Sequence, residues 1–136
     1  MGKIYTSMGL MSGTSLDGID VSIIKSDGKE DYSTELDRYF KYDRELNQKL
    51  LRTRDKISNS EDLSRFFDEI KDLEREVTLF HCKAVSETIE KFNSNIDLIG
   101  LHGQTIFHDS KKKVSKQLGD GKLLSQLTKK KVVYNF

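Results

Sequence analysis

With 136 residues, 35% of them hydrophobic, the chain has the length and apolar content for one domain with one core, under a surface that is 33% charged. A net charge of +1 offers no field for nucleic acid or an anionic membrane, and a single cysteine, Cys82, rules out an internal disulfide and a cysteine-rich zinc site. No apolar run approaches the roughly 20 residues of a bilayer span and no secretory leader is visible, so a cytoplasmic protein with a reduced thiol is expected.

The absence of proline is read as compositional drift. Met1-Gly-Lys-Ile-Tyr-Thr6 fits the pattern for lipidation at Gly2, but Ile4 onward leads straight into a strand and the pattern is set aside. Ile4 to Leu10 is the first predicted strand. Ile19 to Lys25 is the second, because Ile19, Val21 and Ile23 alternate with Asp20 and Ser22. Ser26-Asp-Gly-Lys29 is a hairpin turn, and Tyr32 to Tyr42 a third strand, so the chain should open as an antiparallel meander.

Asp43 to Thr53 carries Leu46, Leu50 and Leu51 on one side and reads as a helix of about three turns. Ser58-Asn-Ser-Glu61 fits a capping box, with Ser58 as the cap. The stripe from Leu63 through Phe66, Ile70, Leu73, Val77, Phe80, Ala84 and Thr88 to Phe92 then predicts one helix of about thirty residues. Its aromatic residues suit a sheet surface better than the alternative, a coiled-coil seam. His81 and Cys82 have no partners at helical spacing and are read as packing or surface positions. Asn93-Ser-Asn95 should end the helix.

Ile96 to Leu101 is a short apolar strand, with His102-Gly-Gln-Thr105 read as a polar turn beyond its end. His102, His108 and Asp109 do not have the spacing of a metal set. The runs Lys111 to Lys113 and Lys129 to Lys131 are read as a solvated loop tip and a helix end. Val114 to Leu118 is a strand, Gly119-Asp-Gly121 a turn, Lys122 to Thr128 a helix and Val132 to Phe136 a last strand.

The chemistry concentrates between the first two strands. Gly9, Gly13 and Gly18 permit close backbone approach, Ser12, Thr14 and Ser15 bring hydroxyls, and Asp17 and Asp20 bring carboxylates. Such a turn is either a nest for phosphate, with a cation such as Mg²⁺ among the acids, or an ordinary surface hairpin. His102, Gln104 and Thr105 are likewise either ligands for sugar hydroxyls or phosphate oxygens, or parts of a structural turn. There is no Gly-x-x-x-x-Gly-Lys-Ser/Thr loop and no Gly-x-Ser-x-Gly elbow.

The literal string Met11-Ser-Gly-Thr-Ser-Leu-Asp-Gly-Ile-Asp20 resembles the N-terminal signature of the anhydro-N-acetylmuramic acid kinases. Those are sugar kinases of the actin, sugar kinase and Hsp70 (ribonuclease H-like) fold. Gly100-Leu-His-Gly-Gln-Thr105 resembles that family's Gly-Ser-His-Gly-Gln-Thr block, with Leu101 replacing the usual Ser. Gln117-Leu-Gly-Asp-Gly121 and Lys131-Val-Val-Tyr-Asn-Phe136 follow in the family order, so the resemblance covers nearly the whole chain.

The resemblance implies an α/β fold, residues 1–136 as a single N-terminal kinase lobe, and a mixed sheet with a long packed helix. It implies ATP-dependent conversion of 1,6-anhydro-N-acetylmuramic acid to N-acetylmuramic acid 6-phosphate in peptidoglycan recycling, with water opening the anhydro bond while O6 receives the phosphoryl group. On that reading Gly13, Thr14, Ser15, Leu16, Asp17, Gly18, Ile19 and Asp20 form the ATP phosphate hairpin. Asp17 and Asp20 would hold Mg²⁺ through water, and His102, Gly103, Gln104 and Thr105 would lie on the substrate side. The family's general-base Asp falls in a block beyond Phe136. The expectation is a lobe inactive alone, working as a homodimer or with a separately encoded second lobe. A non-catalytic phosphate- or sugar-binding module is the alternative.

Overall fold

Alternation decides the first strands of the computed structural model, which describes residues 3–93 and 95–136. In β1 (Tyr5–Ser12) Thr6, Met8 and Leu10 are buried, and in β2 (Gly18–Ser26) Ile19, Val21 and Ile23 are buried, so both strands turn their apolar edge to one face. The Asp27 carboxylate accepts from the Lys29 N–H at 2.8 Å and closes the turn into β3 (Tyr32–Lys41). The three strands pair antiparallel, the meander the alternation predicted. Gly2 and Ser94, on which the lipidation pattern and part of the helix-stop signal fall, lie outside the described residues.

Helix α1 (Arg44–Lys56) starts where Asp43 accepts from the Leu46 N–H at 2.8 Å, and it buries Leu46 and Leu50. The long helix differs from its prediction. The apolar stripe is divided into α2 (Asp62–Arg65) and α3 (Phe67–Phe92), with Phe66 at φ −104°, ψ 28° between them. The break lets the Phe66 ring pack on the core while Phe67 stays exposed. The capping box is displaced as well. It is the Asp62 carboxylate, not a Glu61–Ser58 pair, that accepts from the Ser58 N–H, at 2.8 Å, and Asn59 accepts from the Asp62 N–H. Asn93, at φ 54°, ends α3 in the left-handed conformation expected of it. The inner side of α3, including Ile70, Leu73, Val77, Ala84 and Val85, is buried in this chain's own core, so the packed-helix reading holds over the coiled-coil one.

Strand β4 (Leu98–Asp109) is twice as long as predicted. Its first half runs parallel to β1 on one side and to β6 (Val132–Tyr134) on the other; its second half pairs antiparallel with β5 (Val114–Leu118). The sheet path is therefore β3-β2-β1-β4-β5, with β6 also on β4. Between β5 and β6, α4 (Gly121–Thr128) begins where Asp120 accepts from the Leu123 N–H at 3.0 Å, and it packs on α3. Helices α1 and α3 cover one face of the sheet, and the core lies between. Each fully buried Leu or Ile there contributes about 1.5–3 kcal/mol. Asn135, at φ 60°, turns the chain out of β6 before Phe136, so the last strand is shorter than expected.

Candidate phosphate-binding site

Parallel pairing decides where the motifs meet. β1, β4 and β6 all point the same way, so Gly13, Gly103 and Asn135 arrive at one edge of the sheet. β5 runs against β4 and sets Leu118 opposite Gln104, which brings the Gly119-Asp120-Gly121 turn to that same edge. β2 leaves from this edge at Gly18 and β3 returns to it at Lys41. Blocks separated by a hundred residues of chain thus share one rim.

The turn between β1 and β2 is held from behind. The Gln104 Nε2 donates to the Gly13 carbonyl at 2.7 Å, Asn47 Nδ2 donates to the Leu16 carbonyl at 2.7 Å, and the Tyr42 N–H donates to the Asp17 carbonyl at 2.8 Å. Gly13, Thr14, Ser15, Asp17 and Asp20 are exposed, while Leu16, Gly18 and Ile19 are buried beneath them. Leu16 sits in the left-handed region at φ 62° with its side chain 0% exposed, a conformation rare for a residue with a Cβ. Among the described residues, neither the N–H nor the hydroxyl of Thr14 or Ser15 has a protein partner. Gly13 to Asp17 form the turn itself; Gly18, Ile19 and Asp20 already belong to β2.

Asp17 and Asp20 act on one spot. The Tyr39 phenol is held above its usual range by partial desolvation first and then by the negative fields of these two carboxylates. Tyr39 also pairs with Asp20 across β2 and β3, and a Cβ at Gly18 would come within 2.7 Å of its hydroxyl oxygen. Gly18 is required above all by the Phe40 carbonyl oxygen, the nearest atom to such a Cβ, with the Tyr39 ring beside it. No group of three or more His, Cys, Asp or Glu among the described residues is placed to hold a metal, so the rim itself offers a divalent ion two exposed carboxylates. That donor set suits Mg²⁺, which keeps several waters and takes only one or two carboxylates beside phosphate oxygens.

His102 to Thr105 do not form a turn past a strand end, as the sequence reading had it. They lie inside β4, at a bulge: Leu10 pairs with Leu101 and Met11 with Gly103, leaving His102 as the extra residue. Gly103 has φ +89°, and a Cβ there would sit 2.8 Å from the Leu118 carbonyl oxygen. Gln104 is fully buried, its Nε2 on Gly13 and its Oε1 accepting from the Tyr42 hydroxyl at 2.9 Å. The expected contact of Gln104 with sugar or phosphate therefore gives way to a contact with the turn. His102 is half-buried with its ring 6.4 Å from that of Phe136, and Thr105 accepts from Gln117 Nε2 at 3.3 Å. His108 is exposed, and Asp109 accepts from the Lys111 and Lys112 N–H groups.

Four supporting residues were missed by sequence reasoning. Tyr42 is 2% exposed, packs edge-on against Phe80 at 4.9 Å, and has its phenol pushed up to about 12, by burial above all. Asn47 lies on α1 with no motif around it. Glu74 and Thr78, on α3, accept from the Gly119 N–H at 3.3 Å and the Asp120 N–H at 2.9 Å. The only available signal was Tyr42's place at the end of an aromatic run, since the others are polar residues on helices. A hollow of about 640 Å³ between α1 and α3 is lined by Lys49, Arg52, Lys56, Glu69 and Asp72 and does not reach the glycine turn. A smaller one of about 390 Å³ lies on the motif rim, against Gly119, Asp120, Gly121 and Tyr134.

A three-stranded antiparallel meander, a parallel β4 and β6, and a glycine hairpin at the head of the first strand define the N-terminal lobe of the actin and sugar kinase fold. The family model for anhydro-N-acetylmuramic acid kinase matches residues 5–136, and the chain belongs to that family. The anhydro-N-acetylmuramic acid kinase of Pelagibacter ubique (strain HTCC1062) is 54% identical over 136 residues, covering 100% of this chain and 36% of that protein. The kinase of the same name from Rhizobium etli is 36% identical over 138 residues, covering 99% of this chain and 37% of its own length. That of Agrobacterium fabrum is 37% identical over 141 residues with the same two shares. The chain therefore spans little more than a third of the curated relatives it matches.

Proposed function

We propose that this chain supplies the ATP phosphate-binding wall of a kinase that converts 1,6-anhydro-N-acetylmuramic acid to N-acetylmuramic acid 6-phosphate in the cytoplasm. The observation that carries the reading is the turn from Gly13 to Asp17, whose carbonyls are tied back while its Thr14 and Ser15 donors face solvent. Those donors would bind phosphate oxygens, and Asp17 and Asp20 would hold Mg²⁺ through water. The ion's chemistry, when bound, is to neutralise charge gathering on the phosphate oxygens. His102 and Thr105 remain the candidates for the sugar side. Gly103 and Gln104 serve the site by shaping β4 and by holding the turn.

Phosphoryl transfer is mostly positioning and electrostatic stabilisation, so a rigid donor-lined turn is the equipment it needs from this lobe. The general base would come from the part of the family's length that these 136 residues do not span, in the same polypeptide or in a separately encoded lobe. Titration of the chain with Mg²⁺–ATP tests the reading, with binding expected to move the Thr14, Ser15 and Asp17 amide resonances. Perturbation confined to the α1–α3 hollow would overturn it.

A further inference from the structure

Each tie behind the glycine turn has a consequence across its own peptide. In a trans peptide the C=O of one residue and the N–H of the next point in opposite directions, and every peptide described here is trans. Drawing the Gly13 carbonyl onto Gln104 Nε2 turns the Thr14 N–H away from the core. Drawing the Leu16 carbonyl onto Asn47 Nδ2, at 2.7 Å, does the same for the Asp17 N–H. Leu16 is the residue in the turn most in need of a tether, because a buried leucine at φ 62° returns to the right-handed side once nothing holds it.

The geometry points to Asn47 as a positioning residue for the turn. Its amide, reaching across from α1, keeps Leu16 left-handed and so presents the Asp17 N–H, alongside that of Thr14, to an anionic oxygen of a phosphate chain. This rests on the phosphate reading above. Gln104 and Asn47 divide the work, one end of the turn each, and Asn47 lies outside every motif block. Its own backbone N–H is occupied by the Asp43 carbonyl in the first turn of α1, so the side chain is carried on a rigid element.

The test is a titration of the ¹⁵N-labelled chain with inorganic tripolyphosphate and with Mg²⁺–ATP, in wild type, Asn47→Ala and Asn47→Asp. Wild type should show both the Thr14 and the Asp17 amides following the titration. At pH 7.5 both variants should bind about three- to tenfold more weakly, the loss of one well-made hydrogen bond. In them the Asp17 amide should no longer follow the titration, while Thr14, tied through Gln104, still does. Near pH 4, where an aspartic acid is about half protonated, Asn47→Asp should regain affinity relative to wild type at the same pH, as its carboxyl becomes a donor; Asn47→Ala should not. The near-isosteric Asn47→Asp carries the test if Asn47→Ala fails to fold, which circular dichroism reports. Unchanged affinity with an unchanged Asp17 response overturns the role of Asn47 and leaves the phosphate reading standing. A wild-type chain that binds neither probe overturns the phosphate reading, and the inference falls with it.

Discussion

The Tyr42 hydroxyl donates to Gln104 Oε1 at 2.9 Å inside the protein, and through that one bond the end of β3 controls the glycine turn. Tyr42 holds the turn twice, by its backbone N–H on the Asp17 carbonyl and by orienting the amide that reaches the Gly13 carbonyl. Tyr42→Phe should leave Gln104 Oε1 buried without a donor and lower stability by about 1–3 kcal/mol. Urea denaturation measures the loss. A Tyr42→Phe, Gln104→Leu double variant should lose less than the sum of the two. Strict additivity would show that the bond does not couple them.

Gly103 is the second point on which the rim depends. Its φ of +89° disfavours any side chain, and a Cβ would meet the Leu118 carbonyl oxygen at 2.8 Å. Gly103→Ala should therefore destabilise the chain by about 1–3 kcal/mol or shift the β4–β5 register. Gly9→Ala, where a Cβ has nothing within 4 Å, is the matched control and should cost at most about 1 kcal/mol. Thermal unfolding of the two variants, side by side, decides it.

The contrast between those glycines also shows what the sequence could reveal. Alternation at Ile19, Val21 and Ile23 and the stripe from Ile70 to Val85 report directly on burial, and both were legible. The glycine turn was legible because its residue types are unusual together. The Phe66 break and the bulge at His102 were not, because each depends on what packs beside it, and local pattern does not carry that information. His102-Gly-Gln-Thr105 has the composition of a turn. It lies within a strand because Gly103 lets β4 bulge past β1 and carry on beside β5. Gln104 looked like a ligand and proved to be a brace, a difference that only its burial reveals.

The acidic pair bears on metal dependence. Asp17 and Asp20 both load the Tyr39 phenol with negative field, so removing one should relax that site. Asp17→Asn should weaken Mg²⁺–ATP binding about tenfold while leaving binding of metal-free ATP unchanged or improved, read by calorimetry with and without a chelator. The chain by itself should consume no ATP in response to the anhydro-sugar. Sugar-dependent ADP release by the purified chain, abolished by Asp17→Asn, would overturn that expectation and place a general base within these residues.

His81 bears on the acid stability of the fold. Its side chain is fully buried on α3, Nδ1 lies 2.7 Å from the Val77 carbonyl oxygen, and Nε2 has no partner among the described residues. Burial pulls its pKa down to about 4 from an ordinary 6.5, with the Val77 bond opposing the shift only in part. The unfolded chain therefore binds this proton more readily than the folded one. The neutral ring's contribution is complete above about pH 6.5, shrinks as pH falls toward 4, and amounts at most to about 3 kcal/mol. His81→Leu should flatten this part of the stability profile, so the urea midpoint of wild type should fall relative to that of the variant from pH 7.5 to pH 4.5, whatever the surface carboxylates add to both. A constant gap across that range would mean that His81 is not protonated on unfolding, and that the acid sensitivity of the chain has another source.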